Sequence, residues 1–465
     1  MAENKKQASQ AVAEPKATDK KKGLTPEQMV KDPGLDESIE KLTTEQIENA
    51  IERVLTKETA ARLKVYLDTC VHCALCSNAC HTYLSRDKDP NFAPVAKVKN
   101  TLWEILKRRG KGTVDAELLK NVARIAFTEC GACRRCSMYC PFGIDISYLI
   151  MVVRRILNLL AVVPQYLQDT TNSHAATMNQ MWVQEDEWID TLQWQEEEAQ
   201  MEISKVRIPL EKEGADIMYS VIAPEPKILA QLINYMAQIM TVTEMDWTMP
   251  ATDGWDNSNM AMYSGDFETM GRVERLHFDT AARLKVKRIV MGECGHAFRG
   301  AAYDGPRWLI WKQPPIQLVH AIDFYYDLIS SGKIKIAKKF EEPITLQDPC
   351  NTVRGLGLGK KLRYIMNATC EDFRDVNPKM EHNYCCAAGG GLINCGPPWT
   401  RSRMVSNRVK AEQFQATGAK VIVTPCHNCH SGIEQIIKFY KLEMDVKFIC
   451  EILVETMEIP EKFKS

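Results

Sequence analysis

The sequence predicts an α+β fold: a helical domain organised by cysteines, followed by an α/β domain that occurs twice. Three observations predict it. Two cysteine runs of identical spacing, at 70–80 and 130–140, lie among amphipathic helical stretches. From about Ile208 the pattern changes to short β-rich runs. Two of these, "AARLKVKRIVMGECGH" (Ala281 to His296) and "ATGAKVIVTPCHNCH" (Ala416 to His430), share one layout of basic helix, apolar strand and cysteine turn. At 465 residues the chain is long enough for several domains.

Residues 1–40 are rich in Lys, Ala, Glu, Gln and Pro with few large apolar side chains, so they read as a flexible tail. Their first residues have no apolar h-region for a secretory signal, and the expected location is cytoplasmic. The helical domain spans 41–165. Thr43-Thr44-Glu45-Gln46 reads as a capping box, and Ile47, Ile51, Val54 and Leu55 recur at helical spacing after it. Lys107, Arg108, Arg109 and Lys111 read as a solvated face or as a dock for an acidic partner. The apolar run Ile144 to Val163 is interrupted by Arg154 and Arg155, which favours a core or subunit-facing helix over a membrane span. Residues 166–207 read as acidic connecting helices carrying Trp182, Trp188 and Trp194. The two α/β halves follow at 208–335 and 336–465, with Cys294 in the place of Cys426 and Ala297 in the place of Cys429. Strand ends are where parallel sheets put their chemistry.

Charge excludes one class of partner. Lys plus Arg is 59 against 60 for Asp plus Glu, which gives no reason to expect nucleic acid. The 17 cysteines sit mostly in short-range clusters, pointing to metal ligation in a reducing compartment. Cys70, Cys73, Cys76 and Cys80 have the spacing C-x2-C-x2-C-x3-C, and Cys130, Cys133, Cys136 and Cys140 repeat it before Pro141. In two-cluster ferredoxins the fourth cysteine of each run ligates the other cluster. The expected cubane [4Fe-4S] sets are therefore Cys70, Cys73, Cys76 with Cys140, and Cys130, Cys133, Cys136 with Cys80. His81 stands where the first run would have proline, a change expected to affect solvent access or potential but not ligation.

Five further sulfurs come from three loops. Cys350 precedes the adjacent Cys385 and Cys386 by 34 residues, and Cys426 and Cys429 follow after 39 more. Neighbouring cysteines are poorly placed for an ordinary disulfide, and five sulfurs are too many for one tetrahedral zinc. An iron-sulfur cluster with a bridging sulfur accommodates them.

The pattern C-x34-CC-x39-C-x2-C resembles the CCG (cysteine-rich) domain of heterodisulfide reductase subunits, and the tandem ferredoxin runs ahead of two such halves resemble its D-type subunit. "CVHCALCSNACHTYL", "GWDNSNMAMYSGD" and "GECGHAFRG" bring the likeness closer to the iron-sulfur subunit of membrane redox complexes in sulfate reducers, the DsrK and HmcF types. The similarity runs from about Lys41 to the C-terminus. It implies a helical two-cluster ferredoxin-like domain followed by a duplicated α/β CCG domain. It also implies that Cys350, Cys385, Cys386, Cys426 and Cys429 hold one noncubane [4Fe-4S] cluster. Two departures stand out: Ala387 replaces the glycine after the cysteine pair, and Tyr263-Ser264-Gly265-Asp266 lies where the first half would carry its own pair.

The resemblance implies an oxidoreductase subunit that relays electrons to reduce a disulfide or trisulfide, on a small sulfur-carrier protein or a heterodisulfide. The electrons would come from menaquinol through a membrane cytochrome b-type subunit, with other redox subunits present and the chain held at the inner face of the cytoplasmic membrane by its partners. Cys294 and His296 are the candidate catalytic pair: nucleophile, transient sulfur partner or further cluster contact, with a thiolate favoured beside a protonated His. The other reading is a buried cysteine left over from duplication. His427 and His430 could supply protons or serve as caps. Cys370, Cys395 and Cys450 read as structural. A rival reading is a pure electron-transfer subunit beside a flavin dehydrogenase for glycolate, glycerol-3-phosphate or lactate; a redox-sensing scaffold would not need two relay clusters.

Overall fold

The computed structural model describes residues 32–222, 224–309 and 314–464. Most of the expected tail lies outside these residues, but its last part does not match the expectation. Asp32 caps a helix, Pro33–Glu40, by accepting a hydrogen bond from Leu35 N, and Leu35 and Ile39 are buried. Two apolar residues four apart suffice once a neighbouring helical surface receives them. The capping box then forms as read: Gln46 N donates to Thr43 Oγ1 (3.2 Å) and Thr43 N to Gln46 Oε1 (2.8 Å), opening the helix Thr44–Val54.

The apolar run becomes the helix Ile146–Leu159, and its Leu149, Ile150, Val153, Ile156 and Leu157 share a core with Ile47, Ile51 and Leu119. Arg154 is fully buried, and Arg155 reaches Glu268 at 2.9 Å. Among the described residues no helix is long and apolar enough to cross a membrane. Lys107, Arg109 and Lys111 are exposed.

Two parallel sheets follow. The first contains β1 (Ile217–Ser220), β2 (Trp247–Thr248), β3 (Arg288–Met291) and β4 (Gln317–His320) in the order β2-β1-β3-β4. The second contains β5 (Ile344–Leu346), β6 (Val421–Val423) and β7 (Asp445–Lys447) in the order β5-β6-β7. Registers such as Met291↔His320 and Val423↔Lys447 align the C-terminal ends of neighbouring strands. β1, β5 and β6 are buried throughout, which is why they read as continuous apolar runs. β3 leads to Cys294, β5 to Cys350 and β6 to Cys426, all at strand C-terminal ends.

The acidic segment does more than connect. Its helix Glu185–Glu202 places Trp188, Leu192 and Ala199 in one core with Leu232, Met236 and Ile239. Trp188 stacks on Trp255 at 4.4 Å and donates its indole N–H to Pro250 O, whereas Trp182 and Trp194 are exposed. The segment is helical as expected, and its inner stripe belongs to the α/β body.

Glu274, on the helix Phe267–Arg283, is also buried, with Asn259 Nδ2 2.6 Å away and Gly300 and Gly305 packed against it. Burial pushes its carboxyl up to about 8. Because the folded value exceeds the unfolded one, its stabilisation is complete below the ordinary carboxylate range and is lost as pH rises toward 8. Stability should fall by roughly 1.4 kcal/mol per pH unit within that window. Urea midpoints measured between pH 5 and pH 8.5 should show this slope, and Glu274→Gln should flatten it.

Candidate metal centres

The two ferredoxin-type loops have the same backbone. His72 and Ala74 in the first run, and Ala132 and Arg134 in the second, occupy equivalent positions and all have φ between 50° and 62°. Left-handed residues on both sides of the second cysteine turn the chain so that its sulfurs converge. Cys70, Cys73, Cys76 and Cys140 line one cavity of about 230 Å³. Cys80, Cys130, Cys133 and Cys136 line another, together with His81 and Lys97. Four sulfurs around each cavity suit a cubane, and in each set the fourth comes from the other run. Lys97 is buried, donates to the Glu129 carbonyl, and lies 3.5 Å from Cys80 Sγ, so a fixed cation sits against the second set.

The other five sulfurs form a continuous contact series. Cys350 opens a π-helical turn, Cys350–Arg354, after β5. Cys426 and Cys429 lie at the start of the helix His427–Tyr440 after β6. The Cys133 and Cys385 sulfurs lie within 4.8 Å of each other; interaction with Cys133, Cys350 and Cys386 raises the Cys385 thiol well above the ordinary range, and Cys385 pulls Cys133 down to about 5. Cys386 in turn contacts Cys429, and Cys429 contacts Cys426. One ferredoxin-type cysteine, Cys133, therefore touches the five-sulfur site directly.

Local backbone makes this approach possible. Ala387 adopts φ 51°, the left-handed state that glycine would favour, and its N–H donates to Cys385 Sγ at 3.3 Å. Gly390 (φ +68°) presses against the second ferredoxin-type loop, so an added Cβ would lie 2.5 Å from Gly131 O. Gly390→Ala should cost about 2–3 kcal/mol, from the strained φ and this overlap. Denaturant titration of the anaerobically prepared chain checks it, with Gly389→Ala as control because nothing lies within 4 Å of its added Cβ.

The first α/β half contributes Cys294 and His296. Cys294 hydrogen-bonds Cys426, which pulls the Cys426 sulfur well down, while burial above all holds the Cys294 thiol well up. His296 Nδ1 lies 3.0 Å from Cys294 Sγ and 3.1 Å from Asn428 Nδ2. The expected thiolate beside a protonated His is not what the geometry produces. Burial holds His296 down to about 4, so the pair is a neutral imidazole and a thiol. Tyr263, from the segment expected to stand in place of a cysteine pair, has its hydroxyl 3.2 Å from Asn351 Nδ2 and its ring 6.2 Å from His296.

Three residues have roles that the sequence reading missed. His81 is buried, and a ring nitrogen lies with Cys133 Sγ and Cys385 Sγ within 4.8 Å of one another, at the junction of two sulfur sets. Arg354 donates to the carbonyls of Cys133 (2.6 Å), Asn383 (2.5 Å) and Glu381 (2.6 Å). Arg154 donates to Ala126, Cys130, Tyr263 and Gly390 carbonyls at 2.5–3.0 Å. The only advance signal was a charge inside an apolar helix.

Residues 66–144 match the family of 4Fe-4S dicluster domains, and residues 344–434 match the cysteine-rich (CCG) domain. The chain is 25% identical to an Hdr-like menaquinol oxidoreductase iron-sulfur subunit 2 of Archaeoglobus fulgidus, over 84% of this chain and 80% of the relative. It is 24% identical to the D-type subunit of the dihydromethanophenazine:CoB–CoM heterodisulfide reductase of Methanosarcina barkeri, over 86% of this chain and 97% of the relative. Over most of its length the chain is similar to heterodisulfide reductase-like iron-sulfur subunits. An EtfAB:quinone oxidoreductase of Syntrophomonas wolfei is 19% identical over 84% of this chain and 58% of its own length. No solved structure matches.

In this chain the ferredoxin-like domain precedes the CCG domain, and both classes point to electron transfer. Its other histidines near the sulfurs are held in place. His427 is buried, its Nδ1 2.9 Å from Glu293 O and its Nε2 3.4 Å from Glu225, and burial lowers it to about 4. His430 stacks on Phe448 at 4.3 Å. Cys370, Cys395 and Cys450 are buried away from these contacts; Cys395 Sγ donates to Gly391 O at 3.4 Å, and Cys450 N to Glu293 Oε1 at 2.8 Å.

Proposed function

We propose that the chain relays single electrons through two cubane [4Fe-4S] clusters to a noncubane [4Fe-4S] site, where a disulfide or trisulfide is reduced. Cys70, Cys73, Cys76 and Cys140 would hold one cubane, and Cys80, Cys130, Cys133 and Cys136 the other. Cys350, Cys385, Cys386, Cys426 and Cys429 would hold the noncubane cluster. The observation that carries the reading is the contact of Cys133 with Cys385, which joins a relay set to the five-sulfur set without an intervening residue. Bound clusters of this kind supply one electron at a time, at potentials tuned by charge, hydrogen bonds and exposure.

Reductive cleavage of RS–SR′ takes up two electrons and two protons and yields RSH and R′SH. Burial keeps water from most of the five sulfurs: Cys385, Cys386, Cys426 and Cys429 are buried and Cys350 is half-buried. The Cys294 thiol, beside His296 Nδ1, holds a proton next to Cys426. Asn428 Nδ2, 3.1 Å from His296 Nδ1, holds that ring in place. The electron donor in this reading is a menaquinol-linked membrane cytochrome b-type subunit, with further redox subunits; the name of the menaquinol oxidoreductase relative supports the menaquinol link alone. In this reading the chain would sit at the inner membrane face through its partners. The substrate is a small sulfur-carrier protein or a heterodisulfide.

The likeness to a quinone oxidoreductase supports a second reading, in which the same clusters only carry electrons to or from a flavoprotein. EPR with iron counting on the anaerobically purified chain separates the two. About twelve irons and a paramagnetic signal that appears only on oxidation with a disulfide or trisulfide support the catalytic reading. About eight irons with relay signals alone, in protein shown not to have lost metal, sink it.

A further inference from the structure

A cleft of about 710 Å³ lies between the ferredoxin-like domain and the first α/β half, within the size range of small-molecule sites. Its charge is lopsided. Arg53, Lys57, Arg62, Arg134, Arg155, Arg299 and Arg307 line it against only Glu58, Asp145 and Asp304, in a chain whose net charge is −1. The acids are engaged: Asp304 lies 2.7 Å from Arg299 Nε, Asp145 3.8 Å from Arg134 Nε, and Glu58 3.9 Å from Arg307. Arg155 pairs with Glu268 outside the cleft lining. Arg53, Lys57 and Arg62 have no carboxylate partner among the described residues.

Two donors are left over. Arg62 stacks on Tyr148 at 4.0 Å and donates to Tyr66 Oη at 3.3 Å, yet its Nη1 is buried and hydrogen-bonds nothing among the described residues. The buried Arg134 Nε also makes no hydrogen bond, although it lies in ion-pair range of Asp145 at 3.8 Å. Guanidinium groups with free donors bind carboxylates, sulfonates and phosphates through paired N–H···O bonds. The lining also holds an apolar group: Met151, Met262, Phe267 and Met270. Methionines adapt to the shape of an organic body packed on them.

We propose that this cleft binds a small organic anion, its charged head on Arg62 and Arg134 and its apolar body against the methionine and phenylalanine side chains. The site adjoins the relay sulfurs, because Arg134 directly follows Cys133 and Arg299 Nη1 lies 3.5 Å from Ala132 O. It stands on the cleft's own residues and does not depend on which reaction the sulfur sites perform.

Calorimetric titration of the anaerobic, cluster-loaded full chain tests it with two probes of equal shape, 4-phenylbutanoate and its neutral amide. The acid should bind about tenfold tighter than the amide at low salt, and the gap should narrow as ionic strength rises. Arg62→Gln, and separately Arg53→Gln with Lys57→Gln, should each weaken the acid several-fold and leave the amide unchanged. Lys41→Gln, at an exposed lysine outside the cleft, should change neither. Thermal melts establish that each variant is folded. Equal binding of acid and amide, no heat from the acid at about 10 mM, or an equal loss in Lys41→Gln overturns the proposal.

Discussion

Arg154→Met should destabilise the chain by about 4 kcal/mol, read as a lowered denaturant midpoint with an unchanged slope. Arg154 is fully buried, and its guanidinium is the shared donor for four backbone carbonyls from three parts of the chain. Methionine matches much of the length but donates nothing, so the Ala126, Cys130, Tyr263 and Gly390 carbonyls lose a common partner at once. Arg154→Lys should recover only part of the loss, because a single ammonium cannot reproduce the planar fork. Arg155→Met is the control; its partner Glu268 is exposed, and surface ion pairs contribute about 0–1 kcal/mol.

The second large effect is on cofactor content. Cys386→Ser should lower the iron count from about twelve to about eight, abolish the signal that depends on oxidation with substrate, and leave the two relay signals intact. The side chain sits between Cys385 and Cys429, so losing its thiolate interrupts the middle of the five-sulfur series. Cys350→Ser, at the half-buried end, should give the same pattern. Loss of relay signals in either variant would mean that the sulfur sets are not separable as assigned. Cys294→Ser should retain all the iron while slowing disulfide reduction, since that thiol flanks Cys426 from the other half.

These effects follow from contacts made far apart in the chain. Arg154 and Gly390 are separated by 236 positions. Nothing in the local spacing around either predicts that they meet. His81 illustrates the same point: beside Cys80 it read as a substituted proline, yet folding puts it next to Cys133 and Cys385. The helix Pro33–Glu40 and the inner stripe of Glu185–Glu202 were illegible for a related reason, since each has a composition that suits solvent except where another element covers one face.

Residue order alone specified the α+β class, the capping box at Thr43, the strands that end in cysteine turns, and the repeated run whose equivalent residues take the same left-handed turns. All of these are set by interactions within a few residues, where spacing and side-chain type act directly. It took the folded chain to reveal that Cys133 meets Cys385, that Cys294 of one half joins Cys426 of the other, and that seven cations face one cleft. Those contacts depend on how whole domains pack. Glycines without side chains at the loop contacts and one buried guanidinium bonding three segments supply that packing, and neither has a local signature.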